Sequence, residues 1–173
     1  MANENIKIED NFLEQEEFNK LQQTLMGPFG LAWFYDDKID TPDDVDKFQF
    51  IHVFQYHQIA PTETLQILLP ILEVLNPVVL YRTKANLLTR TPEIVENEFH
   101  IDMLDMSEEK VKQWTTSIFY VNTNDGYTLF EDGAKVESVA NRMLSFPTNM
   151  KHTGTSCTDE KTRILITFNY FAR

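Results

Sequence analysis

A single cysteine, Cys157, stands among 173 residues. No intramolecular disulfide can form, and a chain of this length can bury a core without one. A lone thiol fits a reducing compartment, and its neighbours Thr155, Ser156 and Thr158 mark it as a loop thiol rather than a nucleophile. Cations are scarce as well. Fifteen Lys and Arg face 27 Asp and Glu, for a net charge of −12. A basic footprint is missing, so DNA or RNA is a poor partner. No stretch of about 18 apolar residues occurs, and no membrane-spanning helix is expected. The N-terminus has no basic segment leading into an apolar run, so no secretory signal is expected and the expected location is cytoplasmic.

What the chain does have is aromatic bulk. Its 13 Phe point to an aromatic core with much sheet. The acid concentrates at 4–17, 36–46 and 93–109 and reads as solvated surface. Ile6–Glu9 reads as a short strand, followed by a helix over about 14–26 that carries Phe18, Leu21 and Leu25 and stops at Gly27-Pro28. Leu31–Tyr35 and Phe48–His57 read as strands, with an exposed acidic loop over Asp36–Lys47 between them. His52 and His57 are five apart and fall on opposite faces of a strand, which makes them ordinary histidines. Thr62–Leu75 has the apolar stripe of a second helix, with Pro70 expected to break or kink it.

From Val78 onward the pattern changes to strands: Val78–Leu88, Phe99–Met103, Trp114–Val121, Tyr127–Phe130, Lys135–Ala140, Arg142–Phe146, Asn149–Thr153 and Thr162–Phe171. Asn124-Asp125-Gly126 is a strong hairpin signal. Helices first and antiparallel strands after them predict an α+β, mainly β domain. Its core over about 78–173 reads as a β-sandwich or a jelly roll, the latter a double-stranded β-helix, with the N-terminal helices packed outside. Residues 1–77 form the helical and strand buttress, and 1–173 is expected to be one domain.

The chemistry gathers around Phe99-His100-Ile101-Asp102-Met103. In an extended strand His100 and Asp102 share a face, and a buried carboxylate there needs a partner or a metal. On the last strand Ile164, Ile166, Phe168 and Tyr170 share one face. Arg163, Leu165, Thr167, Asn169 and Phe171 share the other, which suits a polar cavity better than an apolar interior. His152 precedes Arg163 by eleven residues, so a turn brings the two into neighbouring strands. Two imidazoles and a carboxylate make the facial triad that leaves three metal positions open, as non-haem Fe(II) oxygen chemistry requires. Read alone, His-x-Asp is more often structural, Arg163 fits a surface ion pair, and Tyr120 fits a plain core tyrosine. Arg82 and Lys84 read as solvated edge charges.

The order His100-x-Asp102, His152, Arg163 resembles the Fe(II)- and 2-oxoglutarate-dependent oxygenases of the prolyl-4-hydroxylase-like branch. The stretches 116–122, 125–130, 141–147 and 163–171 support it, from about Val78 to the C-terminus. The chain also resembles small oxygenases of marine cyanophages and their hosts, which implies the cytoplasm of a bacterial or phage-infected cell. The resemblance implies His100, Asp102 and His152 as iron ligands. It implies Arg163 and Tyr120 on the distal carboxylate of 2-oxoglutarate and Thr128 and Thr167 along the cosubstrate pocket. Asn86 sits on the strand facing the site, as a candidate contact to cosubstrate or substrate. O2 is the co-reactant and ascorbate a candidate accessory reductant. The implied substrate is a peptidyl proline or other protein side chain, with a small molecule as the alternative; a jelly-roll module that binds without turnover is the rival from another class. Leu88 departs from the pattern, because close prolyl-hydroxylase relatives often carry Tyr there, and the departure bears on prolyl specificity.

Overall fold

Thr162–Phe171 is rich in β-branched and aromatic residues, and it forms the strand on which the molecule is assembled, β10. The structure is a computed structural model and describes residues 4–39, 46–57 and 61–173. The remaining strands are β1 (Lys7–Glu9), β2 (Phe34–Asp36), β3 (Gln49–Tyr56), β4 (Val79–Thr89), β5 (Thr115–Tyr120), β6 (Tyr127–Phe130), β7 (Lys135–Glu137), β8 (Arg142–Pro147) and β9 (His152–Gly154). Seven of them form one sheet in the order β1-β8-β5-β10-β4-β3-β2, and three form a smaller sheet, β7-β6-β9. Every pairing is antiparallel. The two sheets make the jelly roll that the strand pattern predicts.

Two hydrophobic clusters pack the sheets, beside a third around Tyr81, Met103 and Val111. The larger lies on the outer face of the seven-stranded sheet. There Phe18, Leu21 and Leu25 of helix α1 (Gln15–Met26) and Ile71 of helix α2 (Leu69–Leu75) cover Ile164, Ile166 and Phe168 of β10. The smaller cluster lies inside, with Ile118 and Leu165 from the large sheet and Phe130 and Val136 from the small one. The apolar face of β10 thus packs under the N-terminal helices, as its alternation predicts.

Several details differ from the sequence pattern. The large sheet also takes in β1, β2 and β3 of the buttress, which complete its two edges. Strand β4 is therefore interior, between β10 and β3, and Arg82 and Lys84 are not edge charges. The 62–75 run does break at Pro70: a 3₁₀ turn over Glu63–Leu68 ends, and α2 begins with Pro in its first turn, where the missing N–H costs nothing. Phe99–Met103 is not a strand; a single bridge joins His100 to His152. Its faces do not simply alternate either, since Ile101 lines the site cavity with His100 and Asp102 while Met103 is buried against Tyr81 and Val111. Part of the 36–47 loop, residues 40–45, lies outside the described residues.

A further difference falls at Asn124-Asp125-Gly126. Strands β5 and β6 belong to different sheets, so these residues turn a corner between sheets instead of closing a hairpin. A type I′ hairpin needs positive φ at both central residues, and none of these three has it. Their side chains build the corner instead. Asn124 Oδ1 accepts from the Gly126 N–H at 3.0 Å, and Asp125 Oδ1 accepts from the Thr158 N–H at 2.7 Å. The turn at Glu131-Asp132-Gly133, by contrast, joins two paired strands, β6 and β7, with Gly133 at φ +86°.

Candidate active site

The small sheet closes over one end of the large one and leaves a cavity of about 200 Å³. His100 reaches it from the irregular segment before Met103, and His152 from the start of β9. Their backbones are clamped together by two hydrogen bonds, His100 N–H to His152 O at 3.0 Å and His152 N–H to His100 O at 3.1 Å. The imidazole centroids stand 4.7 Å apart. Each Nδ1 faces the carbonyl two residues back, Glu98 O at 3.1 Å for His100 and Met150 O at 3.2 Å for His152. A carbonyl only accepts, so each Nδ1 donates there, which leaves Nε2 as the nitrogen that would ligate a metal. Phe146 packs edge-on against His152 with centroids 4.8 Å apart, which fixes the ring plane.

Asp102 completes the group. Ligand atoms of His100, Asp102 and His152 lie within 4.8 Å of one another, the one such cluster among the described residues. Asp102 Oδ1 is 3.9 Å from His100 Nε2. The carboxylate is surrounded by donors that sequence reasoning missed. Arg82 Nη2 donates to Oδ1 at 2.7 Å, and Asn169 Nδ2 donates to Oδ2 at 2.9 Å. The Thr116 hydroxyl lies 3.2 Å from Oδ2. Burial pushes the Asp102 carboxyl upward, but the positive charge of Arg82, the two imidazoles and the Asn169 hydrogen bond outweigh it. The group is held well below the usual carboxylate range. Burial also lowers His152 against the opposing pull of Asp102, which favours the neutral imidazole.

Arg163 lies elsewhere in the wall of the same cavity, 1% exposed. Contrary to expectation, it is not on a strand neighbouring that of His152, because β9 and β10 belong to different sheets that face each other across the cavity. Its Nε donates to Ser138 Oγ at 2.9 Å, its guanidinium carbon lies 5.8 Å from the centre of the Tyr120 ring, and Nη1 and Nη2 are buried in the wall. Glycine makes the space. A Cβ on Gly126 would sit 2.6 Å from Arg163 Cδ, and one on Gly154 would sit 3.4 Å from Nη1. The Gly126 that reads as a hairpin signal is therefore a close-approach glycine, and only the tertiary neighbour reveals it.

The other expected residues are distributed as follows. Thr128, Thr167 and Asn86 line the cavity. Tyr120 is fully buried behind Thr128 and donates to its Oγ1 at 2.7 Å. Asn86 Nδ2 donates to Gln49 Oε1 at 2.9 Å. Leu88 pairs with Arg163 across β4 and β10, so an apolar side chain stands beside the guanidinium. Lys84 is also in the lining, two residues from Arg82. His52 is an ordinary core histidine, its two nitrogens on Ala32 O at 2.7 Å and Thr64 Oγ1 at 2.8 Å. Cys157 is buried, and burial raises its thiol, in keeping with an unreactive thiol. No helix among the described residues is long and apolar enough to cross a membrane.

The fold is that of the 2-oxoglutarate- and Fe(II)-dependent oxygenases, prolyl hydroxylases among them. A prolyl hydroxylase from Trichoplax adhaerens, solved with a hypoxia-inducible-factor oxygen-degradation-domain peptide, superposes with a TM-score of 0.64. The match has 14% identity over 97% of this chain and 84% of that one. A 2OG-Fe(II) oxygenase-family oxidoreductase from Burkholderia pseudomallei gives 0.67 at 9% identity, over 96% and 85% of the two chains. HygX from Streptomyces hygroscopicus, solved with nickel, 2-oxoglutarate and hygromycin B, gives 0.59 at 12% identity, over 97% and 83%. No family model and no curated protein sequence matches the chain.

Proposed function

We propose that the chain is an Fe(II)- and 2-oxoglutarate-dependent dioxygenase that hydroxylates a C–H bond of its substrate. The observation that carries the reading is the sharing of one cavity by two unlike features. One is a His-Asp-His group whose ligand atoms lie within 4.8 Å of one another; the other is a buried guanidinium. The donor set suits a divalent transition ion: two imidazoles and one carboxylate that stays ionised. A guanidinium keeps its charge and offers planar, paired donors that match a carboxylate. A dicarboxylate cosubstrate supplies that carboxylate.

In this reading His100, Asp102 and His152 hold the iron. Arg163 takes the distal carboxylate of 2-oxoglutarate, Thr128 and Thr167 border it, and Tyr120 orients Thr128 from behind. Bound there, iron, 2-oxoglutarate and O2 supply the oxidation, with succinate and CO2 as co-products. The protein supplies placement. The imidazoles keep their tautomers through carbonyls, and Ile118 and Leu165 form apolar wall. Ascorbate fits as an accessory reductant that maintains Fe(II).

For the substrate we propose a peptide or protein side chain, as in the neighbour solved with a hypoxia-inducible-factor peptide. Leu88 favours keeping a small molecule as the second reading, since it offers no polar contact beside the guanidinium, and one neighbour is solved with hygromycin B. Anaerobic addition of Fe(II) and 2-oxoglutarate tests the reaction class. A weak visible charge-transfer band should appear only with both present, and succinate should form once O2 is admitted. A band with Fe(II) alone, or none with both, rejects the reading in favour of a non-enzymatic module.

A further inference from the structure

The lone pairs of Asp102 are nearly used up before any metal arrives. An ionised carboxylate offers about four acceptor sites, two on each oxygen. Asn169 Nδ2 and the Thr116 hydroxyl both lie against Oδ2, at 2.9 and 3.2 Å. Arg82 Nη2 takes one site on Oδ1 at 2.7 Å. One site remains, on Oδ1, the oxygen 3.9 Å from His100 Nε2.

The donors are also tied to one another. Arg82 Nε donates to Asn169 Oδ1 at 2.8 Å, which forces the Asn169 amide to turn its Nδ2 toward Asp102 and Thr116. Thr116 in turn reaches Thr148 Oγ1 at 3.0 Å. Arg82 and Asn169 face each other on β4 and β10, and Thr116 faces Asn169 on β5, so three adjacent strands build the ring. Asn169 and Thr116 are fully buried, and the Arg82 side chain is 19% exposed. A guanidinium is suited to this position because its Nε and Nη2 address two acceptors at once in a rigid fork; an ammonium is a single point.

We infer that Arg82 is a positioning residue for the metal: through its fork on Asp102 and Asn169 it confines Asp102 to a one-oxygen ligand aimed between His100 and His152. It thereby keeps the remaining coordination positions clear for cosubstrate and O2. The inference rests on the metal reading of the cavity. It assigns function to a side chain whose sequence pattern suggests only a solvated charge.

The test uses Mn(II) and Co(II) binding to the full chain, without turnover. Variants are Arg82→Met, Arg82→Lys and Asn169→Leu, each with a thermal melt to confirm folding. Loss of an outer partner of a metal ligand typically costs 10- to 100-fold in affinity, so Arg82→Met should weaken Mn(II) by about that factor and change the Co(II) visible spectrum. Arg82→Lys keeps the charge but not the fork, and should recover less than half of the loss on a logarithmic scale. Arg82→Met and Asn169→Leu break the same ring, so together they should cost much less than the product of their separate losses. Should Arg82→Met not fold, Arg82→Lys and Asn169→Leu still decide the matter. Parental affinity and spectrum in both overturn the inference, as does full recovery by Lys in a folded Arg82→Met background comparison. A parent protein that binds neither ion overturns the metal reading itself and this inference with it, whereas tight parental binding with indifferent variants overturns only the role of Arg82.

Discussion

Ile166 and Asn169 belong to one strand, both fully buried, and face opposite worlds. One face of β10 is sealed by helices and holds Ile164, Ile166 and Phe168 in an apolar cluster. The other carries Arg163, Leu165, Thr167 and Asn169 toward the cavity or its ligand cluster. Equal burial therefore says nothing about role. The apolar face contributes stability by removing area from water and filling space, which is indifferent to direction. The polar face is stable only because its buried groups meet partners: Asn169 bonds Arg82, Asp102 and Thr116, and Arg163 bonds Ser138. Directionality is what the second face adds, and chemistry needs directionality.

The sharpest break of the comparison is on the apolar side. Phe168→Ala should cost about 3–5 kcal/mol of stability by opening a cavity under the helices. In the fraction that stays folded, Mn(II) stoichiometry should be unchanged; denaturant melts and calorimetry measure the two separately. The polar side should respond the other way. Asp102→Ala should weaken Mn(II) by more than the about 100-fold typical of losing an outer partner, because it removes a ligand itself. Parental affinity in both Asp102→Ala and His152→Ala would remove the triad from the site.

A smaller effect separates metal from cosubstrate. Arg163→Ala should lower 2-oxoglutarate affinity by roughly 10- to 100-fold, the worth of a charge-assisted bond of about 1.5–3 kcal/mol. Mn(II) affinity should hardly move. Tyr120→Phe should act in the same direction but by less than about 10-fold, since it removes one neutral donor. Isothermal titration with Mn(II) in place of iron reads both.

The smallest effect is on pH. Folded His152 and Asp102 both lie below their ordinary values of 6.5 and 3.8, so the unfolded chain binds more protons at these sites than the folded one. Stability of the metal-free protein should therefore fall as pH drops below about 6.5, His152 first, and fall again below about 3.9 as the Asp102 contribution is lost. His152→Gln should remove the first decline and leave the second. A melting temperature flat from pH 7 to 5 in the parent would contradict the His152 shift.

Much of this was written in local pattern. The alternation of β10 separates its two faces, the stripe of Phe18, Leu21 and Leu25 marks α1, and the spacing of His100, Asp102, His152 and Arg163 singles out four residues that do meet in one cavity. A side-chain period of two says which residues share a face, and that is a property of the single strand. It does not say which strand lies beside it. Only closure of the two sheets made β4 an interior strand and turned Arg82 from a surface charge into the partner of Asp102. The same closure put Arg163 against Gly126, so that a glycine with the look of a hairpin became the floor under a guanidinium. Non-local pairing sets the dielectric, the hydrogen-bond partners and the free space around each residue. Those quantities decide what a carboxylate or a cation does, and they exist only once distant strands have come together.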